Sequence, residues 1–390
     1  MTTAGMNVAG QGETIDLQQQ VARLQALLEA SRHVHATISE EEVLEQTLKI
    51  VVRELEMAGA AFPQESKRYG SVPEAGGTDG HGALPIYLLE DREGRRLTEM
   101  VVAPPDGREL TIYEADFLEG LALQAAVALE NARNHERNLR FARVQQDMDA
   151  ARNIQRSLLP QTLPEIAGYS VGFRSDTCYE VGGDYLDIVE QADGRLLIVV
   201  ADVAGKGLAS AMMSTIFRST FRALVAGGAP LAEMAAQMNQ LHWQEGEEAR
   251  RRYVTAIFLR LDPKTGEIEV TNAGHNPGFV VNADKTVKAF ESSGTPLGML
   301  PGMAYTSETA VLEPESRLLF YTDGLTEVFQ GDEEFGEERL VDVFSKCPSQ
   351  KANDILDALW AELKAFAAGG PQSDDMTALA LSRSSVEWEI

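Results

Sequence analysis

A stretch without a strong helix breaker runs from Thr111 to the residue before Pro160. As one continuous helix it would be about 75 Å long, since an α-helix rises about 1.5 Å per residue. Its first part, FLEGLALQAAVALENA, is broadly apolar and is expected to pack on its own domain. The second part keeps a narrow apolar stripe at Phe141, Val144, Met148, Ala151 and Leu158, with Gln155 at the intervening position. This spacing predicts a coiled-coil seam between two copies of the chain, and a helix lying on a neighbouring domain is the alternative.

The helix separates two regions with different sequence patterns. The chain has 390 residues, which is enough for two or three domains. Hydrophobic residues make up 44% of the sequence, enough to build real cores. We predict a loose tail over residues 1–19, an N-terminal domain over 20–135, a helical linker over 136–159 and a C-terminal domain over 160–390.

The charge balance excludes several classes of partner. Sixty acidic residues against 34 basic residues give a net charge of −26, which disfavours binding to nucleic acid and to anionic lipid. No apolar run approaches the roughly 20 residues that span a bilayer, and the N-terminal segment lacks the pattern of a signal peptide. Cys178 and Cys347 are the only cysteines, so a disulfide scaffold is excluded and a cytoplasmic location is expected.

The N-terminal domain begins with helical patterns. Leu17, Val21, Leu24 and Leu28 predict a first helix, and a second follows Ser39, a predicted N-cap. Residues 63–83 are rich in glycine, proline and serine and predict a long irregular loop. The runs LPIYLLE and RLTEMVVAP around a turn predict two strands.

After Pro160, short apolar runs alternate with turn residues. Strands are predicted at GYSVGF, RLLIVVADV, YVTAIFLRL, EIEVTNAG, GFVV, VKAF, RLLFYTD and MTALALS, with a tight hairpin at LDPKTGE. Helices are predicted at about 208–227, 231–248, 337–346 and 351–366. Grouped strands with inserted helices favour an α+β fold in which sheets stack and helices lie outside.

Aspartates recur where these apolar strands end. Asp184 follows two glycines, Asp202 ends LLIVV, Asp323 ends LLFYT, and Asp374 and Asp375 precede the last strand. A single such aspartate is usually a turn former. All of them together predict carboxylates that converge at one rim of a sandwich. Oxygen ligands without nearby histidine or cysteine favour Mg²⁺ or Mn²⁺, and two such ions about 4 Å apart can bind a phosphate and activate water.

The motifs of this segment carry a family resemblance. ARNIQRSLLP, VGGDYLDI, ADVAGKGLASAMM, TNAGHNP, GTPLGM, YTDGLTE and DDMT occur in order, the first just before and the others within the segment of about 160–383. The segment resembles the SpoIIE-type (RsbU-like) branch of the metal-dependent PPM serine/threonine phosphatases, relatives of type 2C protein phosphatases. The resemblance implies a β-sandwich flanked by helices, two Mn²⁺ or Mg²⁺ ions, and hydrolysis of phosphoserine or phosphothreonine by a water that the ions activate.

The resemblance also implies a set of metal ligands. By position, Asp202 bridges both ions, and the backbone carbonyl of Val203 lies nearby. Asp323 and Asp374 complete one metal site, and Asp184 belongs to the other, directly or through water. These four carboxylates are the predicted catalytic set.

Other residues near the motifs have weaker assignments. Asp375 stands where relatives often carry asparagine, so it ranks below its neighbour as a ligand. Lys206 in the turn GKG reaches the substrate phosphate or is a solvated turn residue. His275 in NAGHNP protonates the leaving serine or fixes a turn, and the structural role is favoured. Asp187 and Glu327 are expected to stabilise turns.

Residues 20–135 resemble a GAF-type sensory domain. The resemblance rests on ISEEEVLEQTLKIVVREL at its start and LTIYEADFLEGLALQAAVALENAR at its end. It implies a domain that receives a small-molecule or protein signal, and a domain that only dimerises is the alternative.

The leading functional prediction is a dimeric, cytoplasmic serine/threonine protein phosphatase that is regulated through the N-terminal domain and the linker. By family resemblance, its substrate is a phosphorylated STAS-domain protein of the anti-anti-sigma type. One alternative is a regulatory module that binds a phosphoprotein without hydrolysing it. Another is a metal-dependent reaction on a nucleotide, which the absence of a phosphate-binding loop motif disfavours.

Overall fold

The computed structural model describes residue 21 and residues 24–73 and 84–385. The chain divides into two compact units, Met1–Gln145 and Gln146–Ile390. Within the described residues, no helix combines the length and the apolar character needed to cross a membrane. The predicted tail over residues 1–19 lies outside the described residues.

The first unit packs helices on one small antiparallel sheet. Residues 24–35 form helix α1. The other elements are α2 (Glu40–Glu54), β1 (Gly59–Phe62), β2 (Lys67–Gly70), β3 (Ile86–Glu90), β4 (Arg96–Ala103) and the first part of α3 (Ile112–Leu158). The strand order is β2-β1-β4-β3. Its core joins α2 residues such as Leu48, α3 residues such as Phe117, and the sheet residues Phe62 and Met100.

In this unit one local prediction is wrong, and another is confirmed in position only. Residues 67–70 were expected to lie in an irregular loop, but they form β2, which pairs in register with β1. The strand is polar and its residues are alternately half-buried and exposed, so hydrophobicity did not reveal it. Ser39 stands at the N-cap of α2, but its side chain makes no capping hydrogen bond.

The long predicted helix is confirmed as α3, which has 47 residues. Leu139, Phe141 and Val144 are exposed along its middle. The coiled-coil seam and the dimer that this stripe suggested stay predictions.

The second unit contains two five-stranded sheets. One has the order β11-β10-β13-β16-β5 and the other the order β12-β9-β8-β7-β6. The strands of this unit are β5 (Tyr169–Asp176), β6 (Tyr185–Glu190), β7 (Leu196–Val203), β8 (Val254–Leu261), β9 (Glu267–Ala273), β10 (Gly278–Val281), β11 (Val287–Phe290), β12 (Glu308–Val311), β13 (Arg317–Tyr321), β14 (Phe329–Gln330), β15 (Glu333–Glu334) and β16 (Met376–Arg383). The predicted hairpin closes between β8 and β9, where Gly266 adopts φ 81°.

The two sheets stack and helices cover their outer faces. Ile198 and Ile257 of one sheet pack with Leu318 and Phe320 of the other in a shared apolar core. The helices of the unit are the end of α3, α4 (Leu208–Val225), α5 (Leu231–Gln244), α6 (Glu247–Arg250), α7 (Gly336–Lys346) and α8 (Ala352–Ala367). Helices α4 and α5 pack on the β7–β8 face, and α7 and α8 pack on the β13–β16 face. The α+β prediction of stacked sheets with helices outside is confirmed.

Candidate metal and active site

Strand pairing brings the predicted aspartates to one end of each sheet. Strands β6 and β7 are antiparallel, so Asp184 just before β6 lies near Asp202 at the end of β7. Strands β13 and β16 are also antiparallel, so Asp323 just after β13 lies near Asp374 and Asp375 just before β16. Each sheet therefore supplies one half of a carboxylate rim, which we define as these five residues.

Asp202 lies at the electrostatic centre of the rim. Burial, followed by the negative charges of Asp323, Asp374 and Asp375, raises the pKa of Asp202 to about 7. Asp323, Asp374 and Asp375 adjoin strands of the other sheet, so their charges act on Asp202 from the opposite side of the sandwich. The site therefore concentrates negative charge that a cation would stabilise.

Asp184 is more deeply buried, with 8% of its surface exposed. Burial and the charges of Asp202 and Asp375 raise the pKa of Asp184 well above its usual value. The Thr322 hydroxyl donates a hydrogen bond to Asp184 Oδ2 at 2.8 Å. Thr322 directly follows β13, so this bond joins the ends of the two sheets.

Asp375 holds the backbone of the loop before β6. Its Oδ1 accepts a hydrogen bond from the Cys178 amide and its Oδ2 accepts one from the Gly183 amide, both at 2.7 Å. Burial is the main cause that raises the pKa of Asp375, and these amides act in the opposite direction. Both carboxylate oxygens are thus engaged with main chain, which agrees with the lower rank of Asp375 as a ligand. The same loop is tied again where Cys178 Sγ donates to the Gln372 carbonyl oxygen at 3.2 Å.

Gly183 allows the loop to approach β7 closely. A Cβ atom at this position would lie 2.8 Å from the Val203 carbonyl oxygen and 3.2 Å from Asp202 Oδ1. Only glycine fits there without displacing backbone. The Val203 carbonyl and the Asp202 carboxylate thus both border this loop.

Lys206 contacts the other half of the rim. Its ammonium group lies 2.8 Å from Asp374 Oδ2 and donates to the Ser373 carbonyl oxygen at 2.6 Å. Burial and the negative charge of Asp374 raise the pKa of Asp323. The positive charge of Lys206 acts to lower it. Lys206, whose side chain is 44% exposed, therefore contributes positive charge to the rim.

The donor set fits a hard divalent ion, but the side chains do not form a finished cage. The rim offers carboxylate and carbonyl oxygens, the ligands that Mg²⁺ and Mn²⁺ prefer. Across the described ranges, no group of three histidine, cysteine, aspartate or glutamate residues is arranged to hold an ion. Lys206 engages one of the four predicted acidic ligands, Asp374.

His275 lies behind the rim. Its Nδ1 is 2.8 Å from Thr255 Oγ1, and its amide donates to Asn272 Oδ1 at 2.8 Å. Thr255 pairs with Asp202 in the β7–β8 register. Burial lowers the pKa of His275 to about 4, so the imidazole is neutral at physiological pH. A neutral, fully enclosed ring is a poor proton donor, which supports the structural role.

Asp187 and Glu327 have different surroundings. Asp187 is fully buried and accepts two hydrogen bonds from Arg222 on α4, at 2.7 and 2.8 Å. It therefore pairs a strand with a helix and does not fix a turn. Glu327 lies near the rim, and burial followed by the charges of Asp323 and Asp374 raises its pKa.

Sequence reasoning missed Arg252. The Arg252 Nη1 atom would lie 2.5 Å from a Cβ at Gly205, so the guanidinium packs against the turn that follows Asp202. Gly205 adopts φ 101°, a conformation that favours glycine. Arg252 stands just before β8 in a sequence with no phosphate-binding motif, and only the pairing of β7 with β8 brings it to this turn.

Comparisons with known proteins agree with this architecture. The family Stage II sporulation protein E (SpoIIE) matches residues 192–384. Protein IcfG of Synechocystis sp. is 27% identical over 265 residues, which cover 61% of this chain and 41% of that protein. Phosphoserine phosphatase RsbP of Bacillus subtilis is 29% identical over 182 residues, which cover 46% of this chain and 45% of that protein.

Among solved structures, the SiaA-PP2C domain of Pseudomonas aeruginosa has a TM-score of 0.54 and 23% identity, over 62% of this chain and 97% of that chain. This likeness shows that the second unit has a PP2C-type fold. The chain spans less than half the length of the two curated relatives. Asp202, Asp323 and Asp374 fall inside the residues that match the family, and Asp184 lies just before them.

Proposed function

Residues 192–384 belong to a SpoIIE-family PPM phosphatase domain, and from this we propose that the chain is a metal-dependent protein serine/threonine phosphatase. The observation that carries the proposal is the carboxylate rim, in which buried acidic groups from both sheets raise one another's pKa. Buried carboxylates that repel one another stabilise no fold, but they suit a site that binds divalent cations.

In this proposal, Asp202 would contribute to both of two sites for Mn²⁺ or Mg²⁺, with the Val203 carbonyl beside it. Asp323 and Asp374 would belong to one site, and Asp184 would belong to the other. Such ions supply positive charge to a phosphate and lower the pKa of a water molecule to near neutrality. The protein supplies the fixed oxygen positions, and Thr322 orients Asp184 through its hydroxyl group.

Two basic side chains are placed to contact the substrate phosphate. Lys206, which pairs with Asp374, would donate from its ammonium group to a phosphate oxygen of the substrate. Arg252 packs against Gly205 one residue away from Lys206. Either side chain offers charge-assisted hydrogen bonds to the phosphate of a bound phosphoprotein.

The wider assignments rest on the family. We propose a phosphorylated STAS-like protein as substrate, in a partner-switching pathway, and a homodimer formed through the exposed stripe of α3. The first unit, which resembles a GAF domain, is proposed to pass a small-molecule or protein signal to the phosphatase domain through the helical linker. Both cysteines are free, which suits a reducing cytoplasm.

Hydrolysis of p-nitrophenyl phosphate by the full chain tests the activity, with and without Mn²⁺ or Mg²⁺. We expect turnover that requires the ion and disappears in Asp202→Asn. The matched control is Asp342→Asn, an exposed aspartate on α7 that should leave turnover unchanged. Wild-type turnover in Asp202→Asn at saturating Mn²⁺ would contradict the proposal.

The alternative function is a silent phosphoprotein-binding module, in which Lys206 would stay paired with Asp374. The same assay with a phosphoserine protein distinguishes the two functions. Tight binding of the phosphoprotein with no release of phosphate, in the presence of either ion, would support the alternative. Release of phosphate would exclude it.

A further inference from the structure

The last turns of α3 contact the loop that carries Asp184. Gln155 Nε2 donates to the Gly182 carbonyl oxygen at 2.6 Å, and the Gly182 amide donates back to Gln155 Oε1 at 3.1 Å. The side-chain amide of Gln155 thus pairs with both polar groups of Gly182, as a neighbouring strand would. Gln155 interrupts the apolar stripe of the helix, and this contact is the reason.

Two further contacts lie on the same face of α3. Arg152 Nε donates to the Glu180 carbonyl oxygen at 2.7 Å. The Leu158 carbonyl oxygen accepts from Arg218 Nε of α4 at 3.2 Å. Positions three residues apart share a helix face, so Arg152, Gln155 and Leu158 form one edge directed at this loop and at α4.

The loop that contains Gly182 and Gly183 depends on hydrogen bonds from other parts of the fold to hold its backbone in place. Two successive glycines have the largest backbone freedom of any pair of residues, and Gly183 cannot be replaced because it lies against Val203 and Asp202. Asp375 fixes the Gly183 amide from one side. Gln155 fixes Gly182 from the other side, one residue earlier.

We propose that Gln155 is a positioning residue that sets the place of Asp184 in the metal site by holding the backbone of Gly182. The inference rests on the proposed function and deepens it. Gln155 contacts neither the ions nor the substrate. Its loss leaves all acidic ligands present but lets the loop that carries one of them move. Partners that orient ligands in this way affect metal affinity by about 10- to 100-fold.

Two variants of the full chain test the proposal. Gln155→Leu keeps a similar volume and removes both hydrogen bonds. Gln155→Glu keeps the acceptor for the Gly182 amide but cannot donate to the Gly182 carbonyl when ionised. Asn153→Leu, at an exposed position of the same helix, is the control. Mn²⁺ binding is measured by titration calorimetry without substrate, and hydrolysis of p-nitrophenyl phosphate is measured against Mn²⁺ concentration.

We expect both Gln155 variants to bind Mn²⁺ about tenfold more weakly, with kcat largely restored at saturating Mn²⁺, and the control to resemble wild type. A general folding defect would instead lower kcat at every Mn²⁺ concentration and lower the melting temperature, and that result would overturn the proposal. Wild-type Mn²⁺ affinity in both variants would also overturn it. If the wild-type chain itself neither binds Mn²⁺ nor hydrolyses phosphate, the proposed function fails, and this inference fails with it.

Discussion

Asp184 and Asp187 are three residues apart, and both are buried, yet their surroundings are opposite. Asp187 accepts a hydrogen bond from the Tyr185 hydroxyl and a two-pronged ion pair from Arg222. Asp184 has the Thr322 and Thr377 hydroxyl groups and faces the negative charges of Asp202 and Asp375. One carboxylate is compensated within the fold, and the other increases the negative charge of its site.

This difference distinguishes a carboxylate that is buried for stability from a carboxylate that is buried for function. A buried charge that is paired contributes to the packing of β6 on α4, and removing one partner leaves the other unsatisfied. A buried charge among like charges costs stability and is kept for what it binds. Substitutions at the two kinds of site should therefore have opposite signatures in activity and stability.

The largest effect is expected for Asp323→Asn. Loss of one acidic ligand removes most of the charge stabilisation that an ion gives the reacting phosphate, about 4 kcal/mol or roughly 10³-fold in kcat/KM. The melting temperature should not fall. Phosphate release and thermal unfolding, measured on the same preparation, check both statements, and a variant that loses stability in proportion to activity would remove the distinction.

Asp187→Asn should show the reverse signature. Removal of one partner of a buried ion pair typically costs about 3–5 kcal/mol, and we expect about 2 kcal/mol because Arg222 is 44% exposed. Activity per folded molecule should be retained. Urea unfolding gives the free energy of unfolding, with Asp193→Asn, in an exposed turn pair, as the control. An unchanged free energy of unfolding in Asp187→Asn would contradict this prediction. It would show that water solvates the Arg222 guanidinium well enough to replace the ion pair.

Asp202→Asn should stabilise the chain in the presence of a chelator, although it loses activity as Asp323→Asn does. The folded pKa of Asp202 is raised to about 7, so as pH rises from about 4 to 7 the carboxyl ionises in the unfolded chain but resists ionising in the folded one. Stability is lost over this window in wild type. We expect the variant to gain about 1–2 kcal/mol at pH 8 and nothing at pH 4. Melting curves of the variant and of wild type at pH 4 and at pH 8 check this. A difference in stability that is the same at both pH values would exclude ionisation of Asp202 as the cause.

The smallest effect is expected for His275→Gln. The pKa of His275 is lowered to about 4, so between pH 6 and 8 the ring is neutral and is not the imidazolium form that serves as a general acid. The rate per folded molecule should change by less than about threefold, and the basic limb of the pH–rate profile should keep its position. A lost basic limb would restore His275 as the proton donor.

Much of this arrangement could be predicted from sequence because it depends on local periodicity. The apolar runs that predicted β7, β13 and β16 are buried strands, and aspartates at strand ends meet because antiparallel neighbours share an edge. β6 was not recognised as a strand, since its sequence was interpreted as a motif.

Roles that depend on a distant partner were not visible. Asp375 is an anchor for backbone amides nearly 200 residues away, and Gln155 bonds to a glycine 27 residues further along the chain. Asp187 was assigned to a turn, but it pairs with Arg222, which is 35 residues distant. Residue type and spacing restrict which groups can meet, and only the tertiary fold selects which do.

The contact between Cys178 and Gln372 gives the molecule a native reporter. The thiol lies where the loop before β6 meets the loop before β16, and burial raises its pKa, so thiol reagents should modify it slowly. Cys347 is buried at the end of α7, on the outer face of the sheet that contains β13 and β16. The rate of thiol modification at Cys178 therefore measures how often these two loops separate, and a divalent ion that draws the rim together should slow that rate before any substrate is added.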